Sequence, residues 1–183
     1  MKQPELLAPV GDFECLKAAV QNGADSIYLG ASSFNARNSA TNFGLEELKE
    51  AIQYAKLRNV NVHLTLNTLL KENELEPALE LANKAYGFGI DAIIVQDLGL
   101  AKLLHKYLPN LSLHASTQMT VHNLEGVRFL EKLGFQRIVL SRELSIDEIK
   151  YIKKHSIAEI EVFIHGALCI SYSGRCYISS MIG

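Results

Sequence analysis

Short β-branched runs alternate with amphipathic stretches along nearly the whole chain, and this alternation constrains the fold more than any other feature. The runs lie at Glu5–Ala8, Ser26–Leu29, Asn61–Leu66, Ala92–Val95, Ser112–His114, Arg137–Leu140 and Glu159–Ile164. Between most of them, apolar residues recur three or four apart, as at Leu45, Leu48, Ala51, Ile52 and Ala55. That spacing predicts helices with one face turned to a core. The first helix is expected over Phe13–Gln21, and Ser145 with Glu148 forms a capping box at a later helix start. Gly23, Gly89 and Gly134 mark helix ends shortly before strands. Strands begin roughly 20 to 35 residues apart, which suits βα units and a parallel sheet.

The expected class is therefore α/β, a TIM-type (β/α)8 barrel. Seven units can be counted where a closed barrel has eight. The chain is read as a single barrel domain over residues 1–183 with its closing unit missing at the C-terminal end, a fragment of a longer barrel. A doubly wound nucleotide-binding sheet competes poorly, because Pro9-Val10-Gly11-Asp12 stands where a glycine-rich fingerprint belongs.

Composition bounds the function. The 183 residues are 48% apolar, enough for one sizeable core. With 18 basic against 20 acidic residues the net charge is −2, which excludes a generally basic nucleic-acid coat but not a local basic groove. No apolar run approaches the roughly 18 residues of a membrane span, so no membrane partner is expected. The opening MKQPELLAPVGDFE does not read as a signal peptide. Three cysteines favour a reducing, cytoplasmic setting.

In a βα barrel, residues just after each strand converge on the face where substrates bind. Those positions hold Asn35, Arg37, Asn38 and Asn42; Asn67; Gln96 and Asp97; His114, Ser116, Thr117 and Gln118; Arg142 and Glu143; and His165. Substrate-binding candidates among them are Arg37, Asn67, Asp97, Ser116, Gln118 and Arg142. Arg37 stands out, since a guanidinium among asparagines suits a carboxylate or phosphate. Glu143, His165 and His114 are candidate catalytic groups. Each has a plainer alternative. Asp97 and Ser116 suit helix caps, Glu143 sits where a helix dipole favours an acid, and Arg142 could pair on the rim. His63 reads as a wall residue, and His105, His122 and His155 as surface residues of helical stretches. No H-E-x-x-H, G-x-S-x-G or P-loop pattern occurs.

The densest motif runs from Glu161 to Ser179. Cys169 and Cys176 lie seven apart in a loop with Gly166 and Gly174, and two soft ligands there suit zinc or an iron–sulfur cluster. Both metals need about four ligands, so His165 or residues outside this stretch must contribute. Two buried thiols, or a labile disulfide, are the alternatives. Cys15, within the first helix, reads as a core residue.

Glu161, Phe163, Gly166, Ala167, Leu168, Cys169, Gly174, Cys176, Ile178 and Ser179 resemble, position for position, the signature of peptidase family U-thirty-two, the collagenase-like peptidases. PELLAPVGDFECLKAAVQNGADSIYLG, ARNSATNFGLEEL, TLNTLL, HASTQMTVHN and SRELSIDEI resemble that family's other segments, so the likeness covers essentially the whole chain. The resemblance implies one of two activities. One is support of prephenate-dependent hydroxylation of a pyrimidine in transfer or ribosomal RNA, with a four-iron, four-sulfur (4Fe-4S) cluster and prephenate as hydroxyl donor. The other is proteolysis of a collagen-like peptide. It implies Cys169 and Cys176 as the first two cluster ligands, with the other two beyond Gly183. A third reading is a non-catalytic scaffold carrying a cluster or a partner subunit. Possible partners are RNA, a peptide, a paired family member or a second copy of the chain.

Overall fold

The computed structural model describes residues 3–36, 42–166 and 169–176. Its strands are β1 (Leu7–Val10), β2 (Ser26–Gly30), β3 (Asn61–Leu66), β4 (Ala92–Val95), β5 (Ser112–Ala115), β6 (Arg137–Val139) and β7 (Glu159–Glu161). Between them lie α1 (Phe13–Gln21), α2 (Leu45–Lys56), α3 (Glu72–Phe88), α4 (Leu98–Tyr107), α5 (Leu124–Lys132) and α6 (Ile146–His155). The alternation is that of the (β/α) barrel class expected from the sequence.

Contacts divide the chain into two compact units, Met1–Leu111 and Ser112–Gly183. In the first, β1 through β4 pair in parallel with Leu7 opposite Ser26, Ser26 opposite Asn61 and His63 opposite Ala92. All of β4 and all of β3 beyond Asn61 are buried, as suits parallel strands covered on both faces. Leu16, Leu48, Ile52, Leu100 and Leu104 pack there with no exposed surface. In the second unit, β5, β6 and β7 pair in parallel, with His114 opposite Arg137 and Arg137 opposite Glu159. Val127 and Ile138 are fully buried there, and Leu113, Leu130 and Ile152 nearly so.

One device recurs at the start of the even-numbered strands. The residue just before β2, β4 and β6 captures both backbone groups of a residue on the preceding strand segment. Asp25 accepts from the Leu6 amide at 2.8 Å and donates its own amide to the Leu6 carbonyl at 3.0 Å. Asp91 does the same to Val62, at 2.7 and 2.9 Å, and Gln136 to Leu113, at 2.7 and 3.0 Å. Each clip follows a glycine at positive φ (Gly23 at 87°, Gly89 at 101°, Gly134 at 90°), so glycine, apolar residue, acceptor is an internal repeat. The left-handed glycine ends the helix and aims the chain so that the acceptor meets the neighbouring strand.

Several boundaries differ from expectation. β1 begins two residues later than Glu5 and runs through Pro9. A proline lacks an amide to donate, and Pro9 tolerates this because it pairs with Tyr28 on one side. β5 includes Ala115, β6 stops at Val139, and β7 stops at Glu161. Val162, Phe163 and Ile164 are 37%, 45% and 82% exposed, so this apolar run does not extend the strand. Cys15 is exposed rather than core; its neighbour Leu16 is the α1 residue turned inward. The α1 start, capped by Asp12 on the Cys15 amide, fixes which of the two faces in.

Candidate functional site: a clamped cysteine loop

The densest polar constellation lies in the second unit, where the residues after β6 meet the loop 169–176. β6 ends in a buried run to Ser141, whose amide bonds the Val121 carbonyl, and this brings Arg142 and Glu143 to the strand's C-terminal end. There Arg142 spends its whole guanidinium on the loop. One terminal nitrogen donates to the Cys169 carbonyl at 2.9 Å and the other to the Ser171 carbonyl at 2.9 Å, while Nε reaches Ser173 Oγ at 3.3 Å. The Arg142 backbone amide adds a bond to the same hydroxyl at 3.1 Å.

Glu143 completes the hold. Its Oε1 accepts from the Ser173 amide at 2.9 Å and from Ser173 Oγ at 3.2 Å, and its Oε2 lies 3.1 Å from His122 Nε2. His122 Nδ1 lies 3.1 Å from the Thr120 carbonyl, and Thr120 Oγ1 donates to the Ser173 carbonyl at 3.0 Å. Partial burial of the Glu143 carboxyl opposes its ionisation. The bonds from the Ser173 amide and hydroxyl, with the attraction of His122, outweigh that and hold it below the ordinary value.

The loop is also fitted by shape. Gly174 has φ of +73°, and a Cβ there would stand 2.5 Å from the Gln118 carbonyl and 2.6 Å from Thr120 Oγ1. Thr120 itself takes φ of 58°, an uncommon value for a β-branched residue, at the end of the 3-10 turn Thr117–Met119. Ser173 is 2% exposed at the centre of the clamp, whereas Cys169 and Cys176 are both exposed thiols.

The other expected site residues divide plainly. Asp97 caps α4 through the Leu100 amide at 2.8 Å and also accepts from the Leu70 amide at 3.3 Å. Ser116, 2% exposed, caps the 3-10 turn through the Gln118 amide at 3.1 Å, and Gln118 lies within that turn. Asn67 accepts from the Ala36 amide at 3.0 Å, and the buried Asn35 reaches both the Ala31 carbonyl and, at 3.2 Å, Asn42. Arg37 and Asn38 lie outside the described residues. His114 is a buried β5 residue, 4% exposed, and His165 is exposed. The histidine that does meet Glu143 is His122, which lies between the 3-10 turn and α5, not on a helix, with its side chain 30% exposed. Nothing in its spacing marks it, because the meeting is made by two strand-end loops 21 residues apart.

Cys169 and Cys176 offer two soft donors. Among the described residues no group of three or more His, Cys, Asp and Glu side chains is gathered to hold a metal ion. Two thiols are fewer than the about four ligands that zinc or an iron–sulfur cluster takes.

A strand-per-helix sheet with its polar groups at strand C-terminal ends defines a (β/α)-barrel fold class. The chain resembles two solved structures of that kind. They are a U32 peptidase (TM-score 0.72, 19% identity, 88% of this chain and 69% of that one) and 2,3-dimethylmalate lyase (TM-score 0.63, 12% identity, 93% and 70%). The sequence profile of Peptidase family U32 matches residues 11–183, and the chain belongs to that family. It is 45% identical over 175 residues to a 23S rRNA 5-hydroxycytidine synthase of Escherichia coli, covering 96% of this chain and 26% of that protein. It is 41% identical to a tRNA hydroxylation protein of Bacillus subtilis (98% and 42%) and 42% identical to an uncharacterized protease of Methanocaldococcus jannaschii (100% and 45%). The chain thus spans between a quarter and a half of the curated relatives it matches.

Proposed function

We propose that this chain is part of an enzyme that supports hydroxylation of a pyrimidine in transfer or ribosomal RNA in the cytoplasm. Cys169 and Cys176 supply two thiolates to an iron–sulfur cluster, and prephenate, or a dianion like it, is the hydroxyl donor. The observation that carries the reading is the loop itself: its two thiols are exposed while its one clamped hydroxyl, Ser173, is buried. Likeness to the RNA-hydroxylating relatives supports the same direction. The other two cluster ligands come from outside this chain. A bound cluster would supply one-electron redox chemistry at the loop. No helix of the described residues is long and apolar enough to cross a membrane.

Proteolysis is the second reading, favoured by the likeness to a protease-named relative. The geometry gives it little support. A serine nucleophile must reach a substrate carbonyl, but Ser173 is 2% exposed at the centre of the clamp, its hydroxyl bonded to both Arg142 and Glu143. Arg142 is committed to three loop oxygens, which leaves Arg37 as the guanidinium for an anionic donor.

Deleting the gene and comparing nucleosides of transfer and ribosomal RNA tests the proposal. Loss of a hydroxylated uridine or cytidine is expected. Unchanged nucleosides, together with gelatin cleavage by the purified protein, would replace hydroxylation with proteolysis.

A further inference from the structure

We propose that Arg142 and Glu143 are positioning residues. They shape the loop 169–176, which carries the exposed residues Cys169 and Cys176, through contacts that involve no metal. The inference rests on the cluster reading for its purpose but not for its geometry.

Loops of this kind ordinarily lose shape without their metal, because binding free energy and ordering are one process. Here the ordering contacts come from the protein. Arg142 takes the carbonyls of Cys169 and Ser171, two residues apart, and the hydroxyl two residues further on. A planar fork can hold three acceptors in one arrangement, which a lysine ammonium on a flexible stem cannot. Glu143 takes the Ser173 amide, and Thr120 takes its carbonyl, so both backbone polar groups of the loop's buried residue are bonded by side chains outside the loop. The Ser173 hydroxyl joins the two halves, since it accepts from Arg142 and donates to Glu143. Gly174 then turns against the Gln118 carbonyl, and Cys176 follows two residues later. The carbonyl of one thiol-bearing residue is thus anchored directly, and the backbone leading to the other is fixed by the turn.

The test uses the full chain, metal-free, with amide hydrogen exchange at Ser173 and Arg142 and alkylation rates at Cys169 and Cys176. Cys15, exposed on α1, is the internal reference. Arg142→Gln, Arg142→Lys and Glu143→Ala should each speed exchange at these two amides at least tenfold and alter the Cys169 to Cys176 alkylation ratio, while Cys15 stays at its wild-type rate. Cobalt(II) added alone should give a weaker thiolate charge-transfer band in all three, with no rescue by the lysine variant. Wild-type exchange and alkylation in Arg142→Gln and Glu143→Ala would overturn the proposal. If either variant loses its fold, with exchange rising throughout α2 and β3, Ser173→Ala decides the matter. It removes only the hydroxyl that joins the halves and should loosen the Arg142 amide alone. If the full-length protein that contains this chain, prepared anaerobically, takes up neither cobalt nor iron, the cluster reading falls while the exchange comparison still judges the clamp.

Discussion

Replacing Glu143 with glutamine should lower stability by an amount that shrinks once the carboxylate is protonated in acid. The carboxylate accepts two bonds from Ser173, at 2.9 and 3.2 Å, and lies 3.1 Å from His122. A hydrogen bond to a charged group contributes about 1.5–3 kcal/mol and one to a neutral group about 1 kcal/mol. With the carboxylate side chain 27% exposed, the pair with His122 adds at most about 1 kcal/mol after solvent screening. Glutamine keeps an acceptor for the Ser173 amide but not the charge. Its expected cost is therefore about 1–2 kcal/mol at pH 7, a shift of roughly 2–8 °C in Tm for a chain of this size. Folding holds this carboxyl below its ordinary value of 4.5. A group so depressed stabilises the fold above its unfolded pKa, and that stabilisation disappears as pH falls through its folded pKa. The gap between wild type and Glu143→Gln should narrow as pH falls below about 4.5 and go on narrowing toward the folded pKa. Urea titrations followed by far-ultraviolet circular dichroism at pH 7, 5 and 3.5 measure it. A gap that persists unchanged at pH 3.5, or grows there, would refute the assignment of Glu143 as an ionised acceptor.

Two further perturbations address other parts of the fold. Asp91→Ala strips the acceptor from the amide of the fully buried Val62 and frees Lys56, which now lies 2.7 Å away. It should cost about 1–3 kcal/mol in a urea titration, and Asp91→Asn, which keeps an acceptor, should cost less. Gly174→Ala places a Cβ inside the Gln118 carbonyl at positive φ, so the loop must shift. Limited proteolysis should cut variant chains within 169–176 faster than wild type, with the first unit's fragments unchanged.

Element types were legible because parallel strands covered on both faces read as continuous apolar runs, and β3 and β4 appear where Asn61–Leu66 and Ala92–Val95 stand. The caps at Asp97, Ser116 and Ser145 were equally legible, since each hydroxyl or carboxylate satisfies amides two or three residues on in the same local stretch. What escaped was everything set by meetings across sequence. His122 looked like a surface residue because its partner is 21 positions away. Arg142 looked free for a substrate because the carbonyls it binds lie 27 and 29 positions on. The apolar run to Ile164 outlasts β7 because hydrophobicity alone does not say whether a neighbour pairs beyond Glu161. Cys15 and Leu16 are adjacent and both apolar, and only the phase of α1 tells them apart.

The two ends of the strands follow different rules. At the N-terminal ends, one solution repeats three times: glycine, apolar residue, acceptor, each clipping the preceding strand at both backbone groups. Repetition of that kind marks a purely mechanical need, identical at every second strand and indifferent to whether the acceptor is Asp or Gln. At the C-terminal ends no solution repeats. Asn67 holds the segment before Arg37, Asp97 joins two amides around α4, and Arg142 with Glu143 holds the cysteine loop. Sheets of this class keep chemistry at that end and stability at the other. The irregular end therefore uses most of its polar side chains to hold loops, and the chemistry is carried by what those loops present. In the second unit those loops present two exposed cysteines beside a buried, fully bonded serine, and under the proposed function it is the shape of that loop that Arg142 and Glu143 serve.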